Sequence, residues 1–445
     1  MQKIVLFFPR TLHENNYRNF HVPYSLLSIC LKIDKRKYDI EIIDNNVYKK
    51  TDYRNYLLDN SDSILCVGIS CMIGGQIKGA LRFASQVKKV NQKIPIIIGG
   101  GLPSMLPELT IKNNNVDIIM IGQGEIAFPQ LVDALSTQSS LYCIPNIWYK
   151  EDGIIIKNTR SKYIDISTLP TYKQVYDLCN LSPYIHNDEH IGERTISYHS
   201  SQGCPYSCGF CCEVALWNCN WSGVAAKNIF DDILYLKQHY MINGIKFYDS
   251  EFFISHRRAL DFAKLMISKK IIINWAASIN PNNFMKYTCE ELDILRDSGL
   301  KRLLIGIESA VDNERILVGK NFDSKIVFEI AERCKIRNIF VCFTFVTSYP
   351  GMPEDNFYKT LSFCELLANN YPMHEFKLHL YGPYPGTPMY QKSIDYGFVP
   401  PTTLEEWSEY DYYTALTPWS DIKREHLIRE YNEKYYPYLK GDVKQ

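Results

Sequence analysis

The chain has no charge of either sign to spare. Lysine plus arginine and aspartate plus glutamate number 49 each in 445 residues, so the formal net charge is zero. Without a basic field to track a phosphate backbone, nucleic acid is excluded as the expected partner. Nor does any stretch reach the roughly 18 to 20 apolar residues that a membrane span needs, so no membrane partner is expected. Met1 to Phe8 offers one lysine and a short apolar run, which meets Pro9 and Arg10 too soon for a signal peptide. It reads as a first buried strand. Fourteen cysteines without a signal point to a reducing, cytoplasmic setting and to metal or core roles rather than disulfides. Cys30, Cys66, Cys71, Cys334, Cys342 and Cys364 sit in apolar runs as small core residues. A clean Gly-x-Gly-x-x-Gly with an acidic residue at the dinucleotide spacing is also missing, which disfavours a nicotinamide site. Apolar residues, by contrast, make up 46% of the chain, ample for the cores of about two or three domains.

The most informative run is Gly203-Cys204-Pro205-Tyr206-Ser207-Cys208-Gly209-Phe210-Cys211. Three thiolates this close can hold three corners of a cubic 4Fe–4S cluster. No fourth cysteine completes a set of four protein ligands, so one iron would stay open to a small molecule. Cys208-Gly-Phe-Cys211 alone would also suit a zinc knuckle or a dithiol pair. A zinc site wants a second Cys/His pair at similar spacing, which Cys212 and Cys219 do not form, and the nearest histidines, 186, 190 and 199, precede the motif. Cys212 competes with Cys211, because it repeats the Cys204-to-Cys208 spacing.

From residue 1 to about 140, buried-type apolar runs at 3–8, 40–43, 64–70, 94–98 and 118–121 alternate with helical patterns at 24–33, 75–90 and 128–135. Such alternation implies a doubly wound, Rossmann-like α/β domain with ligands beyond the carboxyl ends of its strands. Those ends are rich in small residues: Ser70, Met72, Gly74 and Gln76 in one loop, Gly99, Gly100 and Gly101 in the next, Gly122, Gly124 and Glu125 in the last. Glycine lets the backbone approach a bulky ligand and adopt positive φ. An ordinary sheet with tight turns is the plain alternative. Residues 141–194 form a connector with a hairpin at Trp148–Lys157 turning on Glu151-Asp152-Gly153.

Alternation resumes at 195–395 with six β/α steps, which imply a partial (β/α)6 barrel whose site lies at the carboxyl ends of the strands. Polar residues fall there: Asp249, Ser278, Glu308 and Ser309, with Ser348-Tyr-Pro-Gly351 and Pro383-Tyr-Pro-Gly-Thr387 further on. A buried glutamate at 308 needs a ligand or an internal partner, for which Arg302 and Lys246 are the structural candidates. The last segment, 396–445, carries Trp407, Tyr410, Tyr412, Tyr413, Trp419, Tyr431, Tyr435, Tyr436 and Tyr438. It would serve as a cap over the substrate or as packing on the barrel exterior.

The cysteine spacing, with an aromatic before the last Cys, resembles that of the radical S-adenosylmethionine (SAM) enzymes. The Gly68-Ile-Ser70, Gly99–Gly101 and Gly122-Gln-Gly-Glu125 strings resemble the cobalamin-binding domain that precedes the barrel in one large subclass. The likeness covers roughly residues 1–395. It implies three cofactors: a 4Fe–4S cluster on Cys204, Cys208 and Cys211, SAM, and cobalamin. It implies SAM contacts from the Phe210 backbone, Asp249, Ser278, Glu308 and Ser309, and cobalamin contacts from the three glycine-rich loops. The Asp-x-His-x-x-Gly motif of other cobalamin proteins is absent, so the resemblance implies cobalt without a histidine beneath it. A residue of the 70–76 loop would approach that face, with His13 and His21 as surface residues. The activity implied is reductive cleavage of SAM to a 5′-deoxyadenosyl radical, supplied with electrons by a flavodoxin- or ferredoxin-type donor. Its expected use is methylation of an unactivated carbon in a small molecule. A cyclisation or rearrangement without methyl transfer, and a non-catalytic Fe–S or zinc protein, are the alternatives.

Overall fold

A computed structural model describes residues 1–10, 20–410 and 417–436. His13, Tyr412, Tyr413 and Tyr438 lie outside the described residues. The chain divides into two compact units. The first is built on seven strands: β1 (Gln2–Phe8), β2 (Tyr38–Asp44), β3 (Ile64–Ser70), β4 (Ile96–Gly99), β5 (Ile118–Met120), β6 (Ile147–Glu151) and β7 (Ile154–Lys157). Their order is β2-β1-β3-β4-β5-β6-β7, with the first five parallel. Strands β1 and β3 are buried almost throughout, as expected of parallel strands covered by helices on both faces. Helix Gln76–Val90 covers one face with Ile77, Ala80, Phe83, Ala84 and Val87. The order places the topological switch point between β1 and β3, where such sheets bind ligands.

Two expectations change here. Strand β4 begins at Ile96 rather than 94, because Pro95 has no N–H to give the ladder; its carbonyl still accepts from Val67. The hairpin is not part of a connector: β6 pairs antiparallel with β5 (Ile118 opposite Tyr149) and extends the first sheet. Its pairing groups are satisfied only there, so the first unit continues to Pro183.

The second unit holds β8 (His186–Asp188), β9 (Gly192–Tyr198), β10 (Ser201–Gly203), β11 (Trp221–Gly223), β12 (Gly244–Phe247), β13 (Asn274–Ser278), β14 (Leu300–Glu308), β15 (Phe340–Thr347) and β16 (Glu375–Leu380). Six of them, β9, β12, β13, β14, β15 and β16, run parallel in that order, with β8 antiparallel on the β9 edge. Helices 226–240, 256–268, 289–297, 325–335 and 355–370 link them, giving the six-step partial barrel. Helix Cys289–Asp297 starts on a full capping box between Thr288 and Glu291. At the amino end a buried Arg302–Glu375 pair is joined by His190, whose Nε2 lies 2.9 Å from Glu375 Oε1. His190 comes from the β8–β9 turn and Glu375 from β16, so this cluster ties together the two sides of the partial barrel.

The segment after 396 has no single role. Residues 401–410 pack with the first unit, through helix Leu404–Ser408 against helix Gln76–Val90. Helix Ile422–Tyr435 lies along β16, where Asn432 exchanges two 2.9 Å hydrogen bonds with the Leu378 backbone. That helix packs on the barrel, with Asn432 satisfying the outward backbone groups of Leu378 on the edge strand.

Candidate active site

The cysteine loop is held at both ends before any metal enters. β10 and β11 pair antiparallel, Ser201 opposite Gly223 and Gly203 opposite Trp221, and clasp residues 204–220 between them. Gly203 has φ +81°, and a Cβ there would meet the Asn220 carbonyl oxygen at 2.2 Å, so no other residue fits. Asp249, at the end of β12, accepts from Ser200 N (2.7 Å), Ser200 Oγ (2.5 Å) and Ser201 Oγ (2.6 Å). Arg258 donates to Ser200 O and Val224 O at 2.8 Å and sits 3.7 Å from Asp249. The buried carboxylate thus staples the strand that leads into the loop. Further along, Gly209 N donates to Val318 O (3.0 Å) and Gly209 O accepts from Met389 N (2.9 Å). Phe210 packs on Val318, Tyr349, Tyr381 and Met389.

Burial raises the thiols of Cys204, Cys208 and Cys211; Cys204 and Cys211 each also feel Cys208, while at Cys208 Lys320 opposes burial and Glu308 and Cys219 add to it. Cys212 starts the helix Cys212–Trp217, and its thiol is raised by burial and then by Glu213 rather than by Cys204 or Cys208. Among the described residues no three His, Cys, Asp or Glu side chains close on one ion. A cubane takes each cysteine at its own corner of the cube, so it does not require three side chains to close on one ion.

Two strands end at the rim in left-handed residues, Glu308 (φ +70°) on β14 and Ser348 (φ +60°) after β15. Such backbone costs of order 1–3 kcal/mol per residue and persists where the surroundings over-determine it. Glu308 is 5% exposed. Its partner is neither Arg302 nor Lys246: Lys320 Nζ lies 3.1 Å from Glu308 Oε1 and donates to Gly306 O at 3.1 Å. The carboxylate folds back over Gly306, where a Cβ would meet it at 2.2 Å. Ser309 is fully buried; its hydroxyl donates to Glu314 and accepts from Val311 N at 3.0 Å. Ser278 stands half-buried at the end of β13. Glu251, two residues beyond Asp249, accepts from Phe253 N and Asn280 N, and burial lifts its carboxyl to about 7. Lys320 and Arg258 were not anticipated from sequence; both are cations in segments that looked like ordinary loop and helix.

In the first unit, the three small-residue loops do meet on one sheet edge. Cys71 N donates to Gly99 O and Leu102 N to Cys71 O, both at 2.9 Å, tying the second loop to the first. A Cβ on Gly100 (φ +93°) would meet Cys71 O at 2.8 Å. Gly122 (φ +76°) is different: nothing lies within 4 Å of where its Cβ would be, so that backbone borders open space. Gly124 is packed against Met120 and Ile29, Gly101 against Met72, and Gly74 beside the Tyr410 carbonyl. Met72 is 49% exposed, its N–H held by Gln76 Oε1 at 2.9 Å, while Ser70 and Ser25 share a 2.8 Å hydroxyl contact. Glu125 is buried. An open backbone edge with one projecting thioether suits a large flat ligand laid over the strand ends. His21 belongs to the second unit, where its ring lies tilted 4.2 Å from that of Tyr248 and its Nε2 3.1 Å from the Tyr248 hydroxyl.

A cubane-type cysteine loop at the rim of a six-step barrel, in one chain with a glycine-edged doubly wound sheet, defines a class. The chain belongs to the radical SAM enzymes that carry a cobalamin-binding domain: the family described as B12 binding domain matches residues 15–132, and the Radical SAM superfamily matches residues 198–364. An uncharacterized methyltransferase of Pyrococcus horikoshii is 23% identical over 414 residues, 92% of this chain and 87% of the relative. The anaerobic magnesium-protoporphyrin IX monomethyl ester cyclase of Synechocystis is 22% identical over 276 residues; the match spans 61% of this chain but only 54% of the cyclase. In fold, the chain is similar to the radical S-adenosylmethionine methyltransferase TsrM from Kitasatospora setae, solved with tryptophan and a SAM analog. The TM-score is 0.71 at 14% identity, covering 89% of this chain and 76% of that one.

Proposed function

We propose that this radical SAM enzyme uses cobalamin to methylate an unactivated carbon of a small molecule. The observation that carries the reading is the cysteine loop clasped at the rim of the barrel, on a chain whose other sheet has glycine-rich loops at its carboxyl edge, open at Gly122. When bound, the cluster would supply the electron that cleaves SAM to a 5′-deoxyadenosyl radical, and cobalamin would supply a methyl carrier. Cys204, Cys208 and Cys211 would hold the cluster, with Lys320 offsetting thiolate charge beside Cys208. Asp249 keeps the loop in place through the serines at 200 and 201. Ser278 and the Phe210 backbone remain free at the rim to orient SAM, and Glu308 would reach it only while also holding Lys320. The Met72 side of the 70–76 loop would face the cobalt, with no histidine beneath it. A flavodoxin- or ferredoxin-type protein would donate the electron.

The cyclase relative supports a second reading, the same cofactors without methyl transfer. Anaerobic reconstitution with iron, sulfide, SAM and hydroxocobalamin tests both. Reductive cleavage of SAM to 5′-deoxyadenosine is expected, together with a cob(II)alamin spectrum lacking nitrogen splitting from a protein histidine. Product mass then decides, since methylation adds one carbon. A chain that holds the cluster and never cleaves SAM would return the protein to a non-catalytic Fe–S role.

A further inference from the structure

Two tyrosines at the rim are buried side by side and satisfied differently. Tyr349 stands two residues after β15 and Tyr381 directly after β16; they are 1% and 2% exposed, with ring centres 5.3 Å apart. The Tyr381 hydroxyl lies 3.1 Å from Ser393 Oγ, which itself donates to Met389 O at 3.0 Å. The Tyr349 hydroxyl has no hydrogen-bond partner among the described residues. A buried hydroxyl left unpaired is costly, and such exceptions in a folded protein call for a reason.

The ring is not free to turn toward a partner. Val318, Tyr381 and Met389 close around it, and the Phe210 ring packs there with its centre 6.1 Å from that of Tyr349. The corner that carries it is pinned by the C-terminal segment. Ser348, at φ +60°, gives its carbonyl to Trp419 Nε1 at 2.8 Å. Arg424 donates to Trp419 O at 2.8 Å and lies 3.1 Å from Glu354. Backbone of this kind is kept where the surroundings over-determine it, and it clusters at functional sites.

The packing around Tyr349 leads to the cysteine loop. Val318 O accepts from Gly209 N at 3.0 Å, and a Cβ on Gly319 would meet Cys208 Cα at 3.2 Å. Burial, then Glu308, Glu314 and Cys208, raises the Tyr349 phenol well above its ordinary 10, so it keeps its proton and stays a donor. Of those three acidic groups it bonds to none. Glu308 is committed to Lys320, and Glu314 to the Ser309 hydroxyl. Cys208 is left, and a cysteine becomes a thiolate when it takes a metal.

We propose that Tyr349 is a hydrogen-bond donor to the cluster, through the sulfur at the Cys208 corner, and that it raises the cluster's reduction potential. This role deepens the proposed function and depends on Cys208 holding a corner. Hydrogen bonds to the sulfurs are among the levers that set the potential of such clusters. Reduction by one electron adds negative charge to the cluster and its thiolates, so a donor holds the reduced state more tightly than the oxidised one.

Tyr349→Phe removes the hydroxyl and keeps the ring, and Tyr381→Phe does the same one ring away. In thermal unfolding of the cluster-free full chain, Tyr349→Phe is expected to melt at or above wild type, because no bond is lost. Tyr381→Phe should melt below it. After anaerobic reconstitution with iron and sulfide, without SAM or cobalamin, a redox titration followed by absorbance and electron paramagnetic resonance reads the cluster itself. Tyr349→Phe should weaken the reduction equilibrium by about threefold to tenfold, a midpoint about 30–60 mV lower at about 59 mV per tenfold for one electron. Tyr381→Phe should keep the wild-type midpoint. An unchanged midpoint in Tyr349→Phe, an equal shift in Tyr381→Phe, or a lower melting temperature of cluster-free Tyr349→Phe overturns the assignment. A normal midpoint with weakened SAM binding in equilibrium dialysis overturns it too and gives the hydroxyl to SAM. A wild-type chain that holds no cluster defeats the proposed function as well, and its absorbance shows this before any titration begins.

Discussion

Lys320→Met removes one member of the Glu308 pair and leaves the other enclosed. At 3.1 Å, the attraction is about 5 kcal/mol at an effective dielectric constant of about 20. Breaking a buried pair from one side costs about 3–5 kcal/mol, because the remaining charge is stranded. For a unit of this size each kcal/mol shifts the melting temperature by roughly 2–4 °C, so a drop of about 6–20 °C is expected. Glu308→Gln strands the lysine instead, which can shed its proton, and should cost less. The double variant should be more stable than the sum of the two single losses implies. Melting curves and equilibrium dialysis of SAM, on the same anaerobic preparations, separate structure from binding. A Lys320→Met protein that melts within about 2 °C of wild type refutes the reasoning. A Glu308→Gln protein of normal stability that no longer binds SAM would show that the carboxylate serves the ligand first.

The remaining predictions concern the floor of the barrel and the cluster. Burial raises the Glu375 carboxyl, but His190 and Arg302 pull harder and hold it below its ordinary 4.5. A depressed acid stabilises the fold above its unfolded pKa and loses that contribution as pH falls through the folded value. Stability should therefore decline below pH 4.5, and Glu375→Gln should be less stable at pH 7 with a shallower acid limb in urea titrations. At the cluster, Cys211→Ala should abolish the visible thiolate-to-iron absorbance after reconstitution, as should Cys204→Ala and Cys208→Ala, while Cys212→Ala keeps it. The opposite result for 211 and 212 would move the third ligand by one residue.

Much of this fold is legible in runs of isoleucine and valine, because parallel strands covered on both faces cannot alternate. Strands β3 and β16 and helix Lys325–Lys335 fall where the pattern puts them. Helix Arg54–Asn60 does not show, since Leu57 is its one buried residue and no apolar stripe announces it. The hairpin is visible as a hairpin, but its place in the first sheet depends on pairing with Ile118–Met120, nearly thirty residues earlier. In the candidate site, the cysteines are legible by spacing alone. Lys320 is not, because it meets Glu308 through tertiary structure across a loop and a short helix.

Asn432 gives its whole carboxamide to the Leu378 backbone, one donor and one acceptor, as a neighbouring strand would. An uncovered strand edge is a template for pairing with another chain. The cover is synthesised after the strand, so a nascent barrel presents β16 to its surroundings before helix Ile422–Tyr435 arrives. Truncation before residue 422, or Asn432→Ala, would leave that template in the mature protein. The penalty would fall on yield and self-association during expression, long before it touched turnover.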